Sequence, residues 1–254
     1  MQRRISMPIL AAAAIFSAGE APAEILYQKG SLADQRQFLQ VDVSWGELEI
    51  GQTDGARTRL FGGMTMPAFA GAGSGTAKLT YYTPPLHGFE LGASYTPLPR
   101  GNADWPDPSE ALHLVEAAVR KTLEIGGIKA RLTAGTSRAR VRSDSRRLPK
   151  QSWIVGSQFT WQNITLDGDL RQQQEADGAS FRSLNAGLVY GRGDMSLSFR
   201  VRRSEPEGAA ANEQYLADLT YRITPRWQLV ADTNFDSGPE TTAAVVKVGA
   251  RIQF

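Results

Sequence analysis

The chain has 254 residues, with 28 Lys and Arg against 26 Asp and Glu, and no cysteine. This near balance of charge gives no reason to expect nucleic acid or an acidic polymer as a partner. The absence of cysteine fits an exported protein that does not use disulfides. The mean hydropathy of −0.31 indicates a polar chain. Strands of a membrane barrel put only alternate residues on lipid, however, so a polar average does not exclude them.

The N-terminus has the pattern of an export signal. Arg3 and Arg4 precede an apolar run over residues 5–16, and the small residues Ala21 and Ala23 flank Pro22. A charged start, an apolar centre and a small-x-small site are typical of a cleaved signal peptide. We predict cleavage after Ala23, a signal peptide at 1–23 and a single mature domain at 24–254.

From Arg36 onward, segments of alternating apolar and polar residues follow one another to the end of the chain. The last one, Ala244 to Phe254, has an apolar residue at every even position. A period of two places the two sets on opposite faces of a strand, and about 9–11 residues suffice for a tilted strand to cross a bilayer. After residue 23 no apolar run approaches the roughly 18 residues that a membrane-spanning helix needs.

The mature chain contains fourteen candidate strands, joined by alternating short and long connections. Five connections are tight, whereas those between them are longer, the longest being Thr53 to Gly75. Short periplasmic turns and longer outer loops are typical of outer-membrane barrels, and an even strand number requires a weak first strand near Glu24. We predict an all-β fold, a transmembrane antiparallel up-and-down β-barrel of about 14 strands, with 12 or 16 as alternatives. The basic stretch from Arg138 to Lys150 is interpreted as a solvated loop.

The apolar face of the strands has the composition of a lipid-facing surface. It is built from Leu, Val, Ala and Ile in mid-strand, with aromatic residues near both strand ends, as in the interfacial girdles of barrels. The predicted girdle residues are Trp45, Phe89, Tyr95, Trp153, Trp161, Tyr190, Trp227 and Phe235. Charged residues are nearly absent from this face.

The opposite face carries many charges, which cannot be buried without water because each unpaired ion would cost several kcal/mol. A barrel of this size is wider than the roughly eight-strand barrels whose interior side chains can fill, so this face predicts an aqueous channel. The predicted pore-lining residues are Asp42, Glu49, Lys78, Glu90, Glu116, Arg120, Lys129, Arg131, Asp167, Asp169, Arg171, Arg200, Arg202, Asp218, Arg222, Asp232, Lys247 and Arg251. Basic groups slightly outnumber acidic ones, which predicts at most a weak anion preference.

Several short runs resemble the Gram-negative general-diffusion porins, particularly the compact kind from photosynthetic bacteria. They are the segments 38–42, 45–55 and 88–97, together with the terminal Phe254. The resemblance implies a sixteen-stranded trimer in which the third outer loop folds into the barrel and narrows it, and a terminal Phe that the barrel-assembly machinery reads. By position, Thr53 to Gly75 corresponds to the inward loop, with Asp54, Arg57, Arg59, Phe61 and Met64 at the constriction.

The sequence departs from that family pattern in two respects. Upstream of Arg36 there is room for one strand rather than three, and the loop carries Arg57 and Arg59 where the family loop is usually acidic. The interpretation is an outer-membrane porin that passively admits small hydrophilic solutes and ions, without catalytic activity, cofactor or metal. Its expected partners are outer-membrane lipid, the barrel-assembly machinery and two further copies of the chain. The alternatives are a structural or plugged barrel, a barrel enzyme with a histidine at its rim, and an exported soluble sandwich.

Overall fold

The computed structural model describes residues 24–29, 37–62, 76–97, 111–143, 146–174, 179–238 and 242–252. For 24–29, 37, 111–112, 141–143 and 146–150 only the backbone is described. The predicted signal peptide, most of the loop after residue 62, Met64 and the terminal Phe254 lie outside these ranges.

Fourteen strands and one short helix account for most of the described residues. The strands are β1 (Glu24–Lys29), β2 (Gln37–Val43), β3 (Gly46–Gln52), β4 (Ala77–Tyr82), β5 (Phe89–Thr96), β6 (Ala111–Ile125), β7 (Ile128–Ser143), β8 (Arg146–Trp161), β9 (Ile164–Gln174), β10 (Ser180–Arg192), β11 (Met195–Pro206), β12 (Asn212–Thr224), β13 (Trp227–Ser237) and β14 (Thr242–Ile252). The helix, α1 (Ala56–Phe61), lies between β3 and β4.

The strands form one antiparallel sheet in which each pairs with its neighbour in sequence, from β1 to β14. This order is the up-and-down topology that the sequence predicts, and the strand count of about fourteen is confirmed for the described residues. Strands β1 and β14 are the two edges of the sheet. A membrane barrel leaves no open edge in lipid, because unpaired backbone groups there are costly.

The turns on one side of the sheet are tight. Gly126 and Gly127 connect β6 to β7 with φ values of 58° and 79°, and Gln162 connects β8 to β9 with φ 50°. Positive φ at such positions matches the twist of paired strands and is typical of two-residue hairpins. The longer connections lie on the opposite side, as the alternating connection lengths predict, with the exception of the one between β7 and β8, where only residues 144 and 145 separate the strands.

The basic stretch from Arg138 to Lys150 is not the loop that its composition suggests. Strand β7 continues to Ser143 and β8 begins at Arg146, with Arg142 paired to Arg147. The interpretation as a loop was wrong because it depended on charge. The backbone N–H and C=O groups of the two segments form hydrogen bonds with each other in a continued hairpin, whatever the charge of the side chains.

The apolar face of the sheet is its exposed outer face. Val155 is 52% exposed, Leu184 53% and Val248 79%, whereas Thr80, Thr96 and Glu116 on the polar face are fully buried. This is the reverse of a soluble protein, in which large apolar side chains fill the interior. The prediction that the apolar face of the sheet points outward and the charged face inward is confirmed. No helix among the described residues is long and apolar enough to cross a bilayer.

Candidate pore and its constriction

The helix α1 forms at the start of the long connection that the sequence assigns to the constriction. Gly55 is its extended N-cap, with φ −68° and ψ 155°, and Gly62 follows its last residue. Ala56, Leu60 and Phe61 lie on one face and are at most 3% exposed. A six-residue helix is too short to be stable by itself, so its packing against the wall must hold it.

That packing is on the polar, inward face of β4 to β7. A Cβ atom at Gly92 would lie 2.9 Å from the Tyr82 ring and 3.1 Å from the Ala56 side chain. At Gly135 it would lie 3.1 Å from the Arg57 side chain. Because Gly92 on β5 and Gly135 on β7 have no side chain, the helix can approach these two strands closely. The described part of the predicted constriction loop lies inside the barrel.

Arg57 holds one side of α1 to the wall. Its Nη1 donates to Ser137 Oγ at 3.1 Å and to Ser152 Oγ at 2.6 Å. Its Nε lies 3.6 Å from Glu116 Oε1, and the two side chains are 2% and 0% exposed. Ser94 connects the same carboxylate to the helix, since it donates to Glu116 Oε2 at 3.0 Å and accepts from the Ala56 amide at 3.1 Å. Arg57 is part of the predicted constriction segment, but its side chain is turned toward the wall with Leu60 and Phe61 and not toward the lumen.

Arg59 holds the other side of α1 and remains partly exposed. Its Nη1 donates to Glu47 Oε1 at 2.6 Å and to Glu49 Oε1 at 2.9 Å, and its Nη2 donates to Glu47 Oε2 at 2.8 Å. The guanidinium lies 4.0 Å from the centre of the Tyr82 ring. Its hydrogen bonds with Glu47 raise the pKa of Arg59 above its usual value. Of the two arginines of α1, Arg59 is the one that a passing solute can contact, because 35% of its side chain is exposed.

Glu47 is absent from the predicted pore-lining set, although it is the bidentate partner of Arg59. The signal was available, because Glu47 and Glu49 are two residues apart and therefore share a face of β3. Lys78 and Thr53 complete this region: Thr53 donates to Glu49, and Lys78 Nζ donates to the Thr53 carbonyl at 2.6 Å. The helix is thus basic where the resemblance implies an acidic loop, and it pairs with carboxylates of the adjoining wall.

The remaining residues predicted for the constriction differ in accessibility. Phe61 is 3% exposed and packs toward the wall, and Asp54 is half-buried. Arg131 Nη1 donates to the Gly62 carbonyl at 2.9 Å, which fixes the end of the helix against β7. Met64 lies outside the described residues.

The predicted pore-lining residues all lie on the face that α1 covers, as the strand registers show. They fall into two groups by exposure. Six of them are at most 8% exposed: Glu49, Lys78, Glu116, Asp167, Asp169 and Arg171. The expectation that all of these charges meet open water is therefore too simple. Asp169, for example, accepts a 2.8 Å hydrogen bond from Asn185 Nδ2.

The other predicted pore-lining residues are half-buried or exposed. Two ion pairs occur among them, Arg120 with Glu90 and Arg200 with Asp218. Arg202 donates to Asn185 Oδ1 at 3.2 Å. The group is Asp42, Glu90, Arg120, Lys129, Arg131, Arg200, Arg202, Asp218, Arg222, Asp232, Lys247 and Arg251. These side chains are the ones available to water and solutes in the lumen.

The eight predicted girdle residues lie on the outer face. Seven of them are between 39% and 51% exposed, and Tyr190 is half-buried. Trp45 and Tyr81 pack with ring centres 5.4 Å apart, and the Tyr81 hydroxyl donates to the Trp45 carbonyl at 2.6 Å. These rings have the position expected for side chains at a membrane–water boundary.

Neither a metal site nor a catalytic constellation is apparent in the described part of the chain. No group of three or more His, Asp or Glu residues there is placed to hold a metal ion. His113 contacts the Tyr95 hydroxyl through Nδ1 at 2.6 Å on the outer rim. A buried nucleophile beside a histidine, which acyl transfer needs, is not part of this pair.

An outward apolar face, an inward charged face and a helix packed inside define an outer-membrane diffusion channel. A protein-family model described as "Gram-negative porin" matches residues 12–240. The chain belongs to the Gram-negative porin family and is a protein of the outer membrane.

Solved structures with the same fold share little sequence with this chain. A porin refined at 1.8 Å matches with a TM-score of 0.65 and 12% identity, over 91% of each chain. The anion-selective porin from Comamonas acidovorans matches with a TM-score of 0.60 and 15% identity, over 87% of this chain and 78% of that one. The trimer form of OmpT from Vibrio cholerae matches with a TM-score of 0.54 and 14% identity, over 85% of this chain and 79% of that one. No curated protein matches the sequence.

Proposed function

We propose that this porin passively admits small hydrophilic solutes and ions through a pore that α1 narrows from one side. The observation that carries the proposal is that α1 lies on the charged inner face, fixed by Arg57 on one side and by Arg59 on the other. A helix fixed in this way narrows the lumen without closing it, so size would limit passage. Solutes would be selected by charge and width rather than by stereospecific binding.

The distribution of charge supports a weak preference for anions. On the inward face of β10 to β14 lie five basic and three acidic side chains, a net charge of 5 − 3 = +2: Arg200, Arg202, Arg222, Lys247 and Arg251 against Asp218, Asp232 and Asp236. On the inward face of β2 to β4 with the segment 54–59 lie Asp42, Glu47, Glu49 and Asp54 against Arg57, Arg59 and Lys78, a net charge of 3 − 4 = −1. On the inward face of β5 to β9 the described side chains add four basic and five acidic groups, a net charge of 4 − 5 = −1: Arg120, Lys129, Arg131 and Arg171 against Glu90, Glu116, Glu124, Asp167 and Asp169. The proposed preference therefore depends on the accessible basic groups of β10 to β14 and not on the total charge.

Single-channel recording in a planar bilayer with a salt gradient tests this function. We expect discrete conductance steps and a small reversal potential of the sign that anion preference gives. A folded, inserted barrel that passes no current would instead be the structural or plugged barrel. A reversal potential of the opposite sign would leave the channel in place and refute the charge preference.

The export signal, the assembly signal and the trimer complete the proposal. Cleavage after Ala23 would be seen as a mature chain beginning at Glu24 in the intact mass of protein taken from outer membranes. Phe254 would be read by the barrel-assembly machinery, so deleting it should lower the folded yield. The trimer form recorded for the OmpT of Vibrio cholerae supports a homotrimer, which cross-linking in native membranes would detect.

A further inference from the structure

A row of three polar side chains crosses the inner face of β9, β10 and β11. Asp169, Asn185 and Arg202 are paired in register on these neighbouring strands. Residues paired in this way point to the same face of a sheet, where their side chains contact one another. Helix α1 packs on β4 to β7. The row therefore belongs to a different part of the lumen wall from the one that fixes the constriction.

The amide of Asn185 is held in one orientation. Its Nδ2 donates to Asp169 Oδ1 at 2.8 Å, and its Oδ1 accepts from Arg202 Nε at 3.2 Å. An amide nitrogen only donates and an amide oxygen only accepts, so the carboxylate on one side turns the oxygen toward the arginine on the other. Asp169 and Asn185 are 4% and 6% exposed, whereas Arg202 is half-buried. Two buried groups thus hold one cation that faces the lumen.

The contact with Asn185 decides which edge of the Arg202 guanidinium is available. Its Nε is engaged, and none of the hydrogen bonds or ion pairs between described residues involves its two Nη atoms. These two nitrogens form a planar edge with parallel N–H groups, which matches the two oxygens of a carboxylate. A halide ion has a single centre and gains less from that edge. Arg202 therefore favours a carboxylate over a spherical anion of the same charge.

Arg200 lies two residues earlier on the same face of β11 and differs in this respect. Its Nη2 donates to Asp218 on β12, which also accepts from Ser198 Oγ at 2.7 Å. A carboxylate of the chain itself therefore occupies the terminal edge of this guanidinium. Two arginines of equal charge on one strand should for this reason contribute differently to the passage of solutes.

We propose that Asn185 is a positioning residue for the selectivity of the pore, which holds Arg202 so that its Nη edge binds the carboxylate of a small organic solute. The inference rests on the proposed channel function and deepens it, because it names organic carboxylates as a class of solute that passes in preference to halide ions. Arg202 would recognise one group and not a whole solute. Binding of this kind concentrates the solute in the lumen and still releases it, as conduction requires.

Reversal potentials with potassium acetate on one side of a planar bilayer and potassium chloride on the other test Arg202. R202K keeps the charge but replaces the planar edge by a point charge, so the acetate-to-chloride permeability ratio should fall about threefold or more. R200K is the matched control, because Asp218 already occupies that arginine, and it should leave the ratio nearly unchanged. Neither variant changes the lumen charge, so the potassium-to-chloride ratio in a salt gradient should stay at its wild-type value.

Two further variants test Asn185. N185A changes no charge but releases Arg202, and should lower the acetate-to-chloride ratio while the potassium-to-chloride ratio stays constant. D169N/N185D keeps the net charge and the hydrogen bond between β9 and β10, yet it places a carboxylate directly beside Arg202. This exchange should abolish the preference for acetate. Gel mobility with and without heating confirms that each variant is folded.

The outcomes that overturn the proposal are distinct from those that overturn the channel. An acetate-to-chloride ratio in R202K equal to that of wild type would contradict it, as would equal losses in R200K and R202K. If N185A lowers the folded yield but its folded channels keep the wild-type ratio, Asn185 has a structural role only and the proposal is wrong. A folded wild type that passes no current would refute the channel function and this inference with it.

Discussion

The two walls of the pore are built differently. The wall under α1, from β3 to β8, has glycines where the helix approaches and charges that are buried in pairs. The wall from β10 to β14 carries charges that are half-buried or exposed. Polar residues of the first wall hold α1 in place. Those of the second wall set the electrostatic potential in the lumen. Removing a buried charge of the first wall should therefore change stability, whereas removing a charge that is exposed to the lumen should change selectivity.

The largest expected effect is at Arg57. R57M removes the cation beside Glu116, which is fully buried, and an uncompensated buried charge costs about 3–5 kcal/mol. We expect a lower free energy of unfolding in detergent and a larger, noisier conductance as α1 loosens. The double variant R57M/E116Q should recover much of the loss. A single variant within about 0.5 kcal/mol of wild type would show that the pair does not hold the helix.

A smaller effect is expected at Gly92. G92A places a Cβ atom 2.9 Å from the Tyr82 ring and 3.1 Å from Ala56, so either the ring or α1 must shift. Overpacking of this kind costs about 1–3 kcal/mol. The matched control is G191A, because no heavy atom lies within 4 Å of a Cβ there. Equal unfolding free energies for the two variants in urea titrations would contradict close packing of the helix.

At Arg59 the expected change is in selectivity more than in stability. R59Q leaves the partly exposed Glu47 and the buried Glu49 without their cation, so the pore should become more permeable to cations. Because the pair is partly exposed, we expect a stability change of about 1 kcal/mol or less. Reversal potentials in a salt gradient measure the shift, and E47Q/E49Q should shift them toward anions. Shifts of the same sign in both variants would show that the charges of Arg59, Glu47 and Glu49 do not set the ion selectivity of the pore.

The smallest effect on the fold is expected on the far wall. R222Q/K247Q/R251Q removes three exposed basic groups from β12 and β14, and should reduce or reverse the anion preference. Surface changes of this kind are usually within about 0.5 kcal/mol in stability. A loss of folded protein in the heat-mobility assay would show that this wall, like the other, depends on its charges for packing.

Much of the fold follows from alternation along the chain. The period of two is visible in single segments such as Leu184 to Tyr190, and it assigns each residue to one face without knowledge of its neighbours. The girdle and the lumen residues follow from the same rule. The interpretation of 138–150 as a loop was wrong because composition replaced alternation as the criterion there.

The details of the constriction could not be predicted in the same way. Alternation does not apply to a short helix in a glycine-rich connection, so nothing in the sequence indicated that Arg57 faces the wall and Arg59 the lumen. That difference depends on the approach of α1 to Gly92 and Gly135, which are distant in sequence. The partnership of Glu47 with Arg59 likewise depends on where the helix lies.

The most direct test of the central claim is single-cysteine labelling along β11, because the natural chain contains no cysteine. Positions 197 to 200 alternate between the outer and inner faces, with Leu197 and Phe199 exposed outward. In liposomes, a charged thiol reagent should modify S198C and R200C and lower their single-channel current, and should leave L197C and F199C unmodified. The reverse labelling pattern would contradict an oily exterior around a water-filled, ionic lumen.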